Sequence, residues 1–359
     1  MAVPHTLWYT RCPVPTAFSI AVQQGTLHQE FAADGIAVRS LASSSDRNVR
    51  QSHFDATQSS FFRHGGNGPP LIARSRGADI RVVALSWNKA RKAVLTLPET
   101  GIRSAADLKG RRISIPRRVS DSVDFWRAAV LRGFGQALRS AGLSFDDVEQ
   151  VEVATGRTFV EDTRPSTEQN ASLWDARFML GHQREEAFAL VRGEVDAIYS
   201  HGAIAAIVEG FLGTTTVADL GERAPGAAAT ALANNDFPYV LTASGQLIDE
   251  QPELVERWLA RVLAASAWAR SHERQTKQII AAETGLAVEL VDHAYSPSIH
   301  QELDLDTSPE QIEALRSQYE HLRAYDFLKQ PFDLAAFIDP RPLAAARELL
   351  AKRPQSVAA

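Results

Sequence analysis

Within its first forty residues the chain spells a strand, a helix and a second strand. LWYTRCP reads as a short strand running into a turn at Pro13 and Pro15. TAFSIAVQQGTL then carries Phe18, Ala21 and Val22 at helical spacing, with Gly25 suited to a helix end, and IAVRSLA alternates as a strand again. Strand, helix, strand in so short a space is the βαβ pattern of a parallel sheet, which commits the chain to an α/β fold.

The same rhythm continues. Strands are predicted at IRVVALSW (80–87), RRISIP (111–116), VEQVEVA after the helix that Gly142 ends, VDAIYS (195–200) and FPYVLTAS (237–244). Long helices are predicted over 123–143 and 184–193. From Glu250 the pattern is almost all helical, with Pro252 and Ser308-Pro309 as helix starts, and KRPQSVAA reads as a frayed tail. At 359 residues the chain exceeds what one hydrophobic core usually organises, so two lobes are expected.

Composition narrows the function classes. Lys plus Arg total 38 against 43 Asp plus Glu, a formal charge of −5, which argues against nucleic-acid binding. No stretch approaches the roughly 20 apolar residues that span a bilayer. The first dozen residues, interrupted by Pro4, His5, Tyr9 and Arg11, do not read as a secretory leader, so a cytoplasmic protein is expected. The single cysteine, Cys12, cannot form an intramolecular disulfide, and no histidine spacing suggests a metal site.

A lone cysteine is commonly an inert buried filler. Cys12 instead lies between a strand and a helix start, where a thiolate is favoured, with Arg11 adjacent and His53 and Arg63 one βα unit later. His53 alone could equally be a core histidine bonded to a carbonyl. Arg63 beside Gly65-Gly66 offers a bidentate fork and approachable backbone amides, which suits an oxyanion, although a surface arginine at a turn would look the same. In RRVSDSVDFW, Ser120, Asp121 and Ser122 are possible caps of the helix that follows, and Trp126 is either a core ring or a substrate contact. There is no nucleophile elbow and no phosphate loop.

AADLKGRRISIP, AGLSFDDVEQVEV, ALVRGEVDAIYS and LIDEQPELVERWL resemble, in order and spacing, successive segments of type II periplasmic-binding-protein-like chains, the sulfonate, nitrate and thiamine-precursor group. That resemblance implies two α/β lobes with a ligand cleft between them: lobe 1 from residues 1–95 plus 238–359, lobe 2 from 96–237. A narrower match lies at the N-terminus. The pattern Y-x-x-C-P-V-P, then H-F-x-x-x-Q-x-x-x-x-R-x-G-G, then P-P-L is similar to the 2'-hydroxybiphenyl-2-sulfinate desulfinases and is filled by Tyr9, Cys12, His53, Gln58, Arg63, Gly65 and Gly66 among others.

The resemblance implies a cofactor-free hydrolase of a carbon–sulfur bond, with Cys12 as catalytic thiol and His53 as its partner. Arg63 and the Gly65/Gly66 backbone would hold the sulfinate, with Tyr9, Arg11, Gln58, Ser120 and Trp126 as further substrate contacts. No metal, no nucleic acid and no membrane partner is expected, and the chain is read as a monomer acting on a small organic anion. Arg11, His64 and His201 depart from the biphenyl enzymes and suggest a pocket cut for a different hydrocarbon. The rival reading is a binding module that captures a sulfonate or carboxylate without chemistry; a thiamine-precursor protein is a third.

Overall fold

The computed structural model describes residues 4–160, 180–221, 233–234 and 237–352. The opening βαβ unit forms as expected. Strand β1 (Thr6–Arg11) pairs in parallel with both β2 (Ala37–Ser40) and β3 (Phe61–Gly65). The predicted first helix is two: Gly25, at φ 70°, divides α1 (Ala17–Gln23) from α2 (Thr26–Ala32), a left-handed conformation that glycine adopts without steric cost. The first sheet has the strand order β11-β4-β10-β3-β1-β2. Here β4 is Ile80–Ser86, β10 is Tyr239–Ser244 and β11 is Leu305–Asp306. Strand β10 runs antiparallel between β3 and β4, so the chain returns from the second lobe into the middle of the first sheet.

The second lobe holds β5 (Lys92–Thr96), β6 (Arg112–Arg118), β7 (Glu149–Thr155), β8 (Ile198–His201) and β9 (Thr215–Asp219). Their orders are β8-β5-β9 and β6-β7, joined by an Ile113–Ala197 bridge. All of β5 pairs in this lobe, so the first crossover lies in 87–91, ahead of the expected 95/96 changeover. The chain returns to the first lobe between Asp219 and Tyr239.

Helices α3 (Arg47–Asp55) and α4 (Gly68–Ser75) flank β3. Helices α5 (Phe125–Ser140), α6 (Arg184–Val191) and α7 (Gly202–Leu212) cover the second lobe. The C-terminal run supplies α8 (Gly245–Glu250), α9 (Pro252–Ser271), α10 (Glu273–Thr284), α11 (Val291–Ala294), α12 (Pro309–Ala324), α13 (Leu334–Phe337) and α14 (Arg341–Lys352). Both predicted C-terminal starts hold: Pro252 opens α9, and the Ser308 hydroxyl caps α12 by accepting from Gln311 N. The predicted tail beyond Lys352 lies outside the described residues. No described helix is long and apolar enough to cross a membrane.

The first core is built around Trp258 on α9. Its ring stacks on Phe62 with centroids 4.1 Å apart and meets Phe18, Phe31 and Tyr9 at steeper angles. The second core gathers Trp126, Phe134, Ile113 and Tyr199, and it also takes in Phe54 and Ile72 from the first lobe. Replacing a fully buried, multiply packed tryptophan leaves a cavity the backbone cannot collapse. Trp258→Ala is therefore expected to destabilise the first lobe by about 3–5 kcal/mol, read as a lower urea midpoint of fluorescence unfolding.

Candidate active site

Adjacent strands β1 and β3 run parallel with Thr10 opposite Arg63 and Arg11 opposite His64. Side chains alternate across a sheet, so Thr10 and Arg63 share one face while Arg11 and His64 share the other. Cys12 follows β1 directly, and its N–H donates to His64 O at 3.0 Å, carrying the ladder one residue past the strand. His53 enters from the last turn of α3 on the Thr10–Arg63 side.

Two side chains converge on the thiol. His53 Nε2 lies 4.0 Å from Cys12 Sγ, and Arg63 Nη2 donates toward the sulfur at 3.5 Å. The far nitrogen of the imidazole, Nδ1, is 2.9 Å from Thr10 Oγ1, so Thr10 fixes the ring's orientation. Arg63 is itself fixed, donating Nε to His53 O at 3.2 Å and Nη1 to Gly66 O at 2.8 Å. Gly65 completes the seat. A Cβ there would sit 2.3 Å from Cys12 Sγ and 2.7 Å from its Cβ, so no other residue leaves the thiol where it is.

The electrostatics follow from burial. Removal from water pulls the His53 pKa well below its ordinary value, and the Arg63 charge pushes it further down, so the imidazole is neutral. Burial also lowers Arg63, while the neighbouring cysteine pulls it back up, the reciprocal of a cation favouring thiolate. A half-buried thiol, a neutral imidazole within reach and a fixed guanidinium can hold an anion against sulfur and move a proton. The helix start expected to stabilise the thiolate is used otherwise: Thr16 caps α1 by accepting from Ser19 N. Among the described residues no three metal-ligating side chains come together.

The other predicted site residues separate. Gly66 contributes its carbonyl to Arg63, and Gln58 sits half-buried in the turn between α3 and β3. Tyr9 and Arg11 lie on the opposite face, away from the thiol: Tyr9 is buried against Phe18 and Trp258, and Arg11 is paired with Glu283. His64 shares that face, bonded to Ser86 Oγ and stacked on Phe18, with burial and Arg63 lowering its pKa to about 3. Of the three departures from the biphenyl enzymes, Arg11 and His64 thus line no pocket beside Cys12. Ser120 is exposed, and Asp124, not Ser120–Ser122, caps α5. Ser122 instead bridges the lobes, accepting from Gln51 Nε2 at 3.0 Å through Oγ and from Arg76 Nη2 at 2.8 Å through its carbonyl.

Trp126 is fully buried. Its indole N–H donates to Glu186 Oε1 at 2.5 Å, while His182 and His201 pack on its ring at 4.5 and 4.9 Å. Sequence reasoning missed Thr10, Asp124 and Glu186. Only Thr10 had a readable signal, the two-residue alternation that puts it on the Cys12 side of the strand.

Burial raises the Glu186 carboxyl from an ordinary 4.5 to about 8, outweighing the indole bond that lowers it. In the unfolded chain it ionises near 4.5, whereas the folded chain keeps its proton to about 8. Its contribution is therefore complete below pH 4.5 and is lost as pH rises to about 8. Glu186→Gln, which cannot ionise but still accepts from the indole, is expected to lose less Tm between pH 5 and pH 8.5 than the wild type, by about 3 °C or more. Parallel Tm–pH curves would contradict this reading.

Comparison with known proteins places the chain among related sequences and folds. Residues 31–163 match the family model described as NMT1/THI5 like. The chain is 27% identical over 360 residues to the 2'-hydroxybiphenyl-2-sulfinate desulfinases of Rhodococcus erythropolis and Rhodococcus qingshengii, covering 94% of this chain and 93% of theirs. Its structure matches that of a Cys-to-Ser variant of DszB in complex with biphenyl-2-sulfinic acid, with TM-score 0.77, 24% identity, and coverage of 97% of this chain and 100% of that one. It also matches the periplasmic aliphatic sulphonate binding protein SsuA from Escherichia coli, with TM-score 0.64, 18% identity, and coverage of 94% and 92%. Over nearly its whole length the chain is thus similar in sequence to the 2'-hydroxybiphenyl-2-sulfinate desulfinases, and it has the two-lobed periplasmic-binding-protein-like fold.

Proposed function

We propose that this chain is a sulfinate desulfinase, converting an aryl or related sulfinate and water to hydrogen sulfite and the hydrocarbon in which hydrogen replaces sulfur. The observation that carries the reading is the thiol of Cys12 held between the Arg63 guanidinium and the neutral His53 imidazole. A pure anion receptor needs the guanidinium; it does not need a thiol seated on a glycine with an oriented imidazole beside it. The likeness to the Rhodococcus desulfinases supports the same reading.

Each group has a task. Arg63, its other nitrogens committed to His53 O and Gly66 O, offers Nη2 to the sulfinate oxygens and fixes the anion next to Sγ. Cys12 then acts on the carbon–sulfur bond by one of two routes. In the first the thiol protonates the carbon, the bond electrons stay with that carbon's ring, and sulfur leaves as SO2, which takes up water to give hydrogen sulfite; His53 returns the released proton to the thiolate. In the second the thiolate bonds to sulfur, the carbon leaves with the C–S electron pair and takes the proton, and water releases hydrogen sulfite from the cysteine. Thr10 orients the imidazole on both. We place the enzyme in the cytoplasm, where a lone thiol stays reduced, and read it as a working monomer.

Purified protein is expected to release sulfite from at least one member of a panel of arene- and alkanesulfinates. Cys12→Ser is expected to lower turnover about 10³-fold, and Gly65→Ala about 10²-fold by displacing the thiol. Rapid acid quench followed by intact mass separates the routes, since only the second leaves an adduct on Cys12. Undiminished turnover by Cys12→Ser would sink the assignment. Anions that raise Tm with no sulfite from any sulfinate would return the chain to the binding-module class.

A further inference from the structure

Directly behind the thiol, on the other face of the sheet, lies a buried ion pair that the fold alone does not require. Arg11 and Glu283 are 1% and 2% exposed, with Nε donating to Oε1 at 2.5 Å and Nη2 to Oε2 at 3.0 Å. Gln23 Nε2 donates to the same carboxylate at 3.3 Å. The first-lobe core on this face of the sheet is apolar, and the Arg11 guanidinium lies over the Tyr9 ring at 5.8 Å. Glu283 is the penultimate residue of α10, where the negative end of the helix dipole disfavours a carboxylate. An apolar pair of similar volume typically serves stability as well as or better than a buried ion pair. A charge pair set here, against local preference and next in sequence to the only cysteine, has its use at the thiol.

We propose that Glu283 is a positioning residue for Cys12: by clamping Arg11 it anchors the end of β1 that carries the thiol, and it cancels a second buried cation so that Arg63 alone sets the charge at sulfur. The groups facing Arg11 are Tyr9 on its own strand, His64 on β3 and Glu283 on α10, with Gln23 on α1 bonded to that carboxylate; those facing Cys12 are His53 on α3 and Arg63 on β3. His64 is neutral, so Glu283, ahead of a smaller contribution from Tyr9, is the main group in this set that opposes the Arg11 charge. Burial alone would lower the Arg11 pKa; the Glu283 charge and hydrogen bond, with smaller help from Tyr9, more than reverse it, so the guanidinium is permanently charged. Without the carboxylate, its field reaches a thiol one residue away through a low-dielectric core.

The test reads the thiol itself and needs no substrate, so it stands apart from the desulfinase assignment. Rates of Cys12 alkylation by iodoacetamide are followed against pH in the full chain, with circular dichroism as the folding control. Glu283→Gln is expected to move the alkylation midpoint down by about 1 pH unit. Arg11→Met, which leaves the carboxylate uncancelled, is expected to move it up. The charge-free double variant Arg11→Met/Glu283→Leu is expected to fold with a Tm no lower than that of either single variant and to return the midpoint toward the wild-type value. A folded single variant whose midpoint coincides with the wild type overturns the proposal, as does a double variant that keeps the Glu283→Gln shift.

Discussion

The hydrogen bond from Cys12 N to His64 O holds the site together. It extends the parallel β1–β3 ladder one residue beyond the strand, and so brings the thiol to rest on Gly65. Everything else in the site is referred to that ladder. Its register decides that Thr10 and Arg63 look toward the sulfur while Arg11 and His64 look away. A slip of one residue would exchange the two sets and put the ion pair on the thiol's face.

Burial then does the electrostatic work. His53 and Arg63 are both withdrawn from water, which keeps the imidazole neutral and leaves the guanidinium beside a thiol that favours a cation. Neither group is free to drift. The guanidinium is tied to two backbone carbonyls and the imidazole to a threonine hydroxyl, so the geometry is set before any ligand arrives.

Much of the architecture was legible from periodicity. The opening βαβ unit, the strands at 80–87, 111–116 and 237–244, and the C-terminal helices all form at or near their expected places. Strand β5 was not anticipated, because its five residues are all buried and carry no alternation. In the site, Cys12, His53 and Arg63 come together as their motif implies. Arg11 and Tyr9 do not join them, because closeness in sequence says nothing about which face of a strand a side chain takes, whereas the count of two residues does. Glu186 and Trp126 are 60 residues apart, and no spacing rule connects them. The difference is physical: a local repeat is written in neighbouring residues, and a tertiary partner is chosen only when the sheet closes.

Phe54 follows His53 on α3, and its ring is held between Phe125 and Phe159 of the second lobe, with centroids 6.2 and 5.7 Å away. The helix that delivers the imidazole is thus also a dowel seated in the opposite half of the molecule. Swinging the halves apart would draw Phe54 out of a shared apolar core and release the Gln51 and Arg76 bonds to Ser122 in the same motion. Separation of the halves therefore carries a packing cost that falls on the residue next to the histidine, while His53, Cys12 and Arg63, all on the first lobe, keep their contacts with one another.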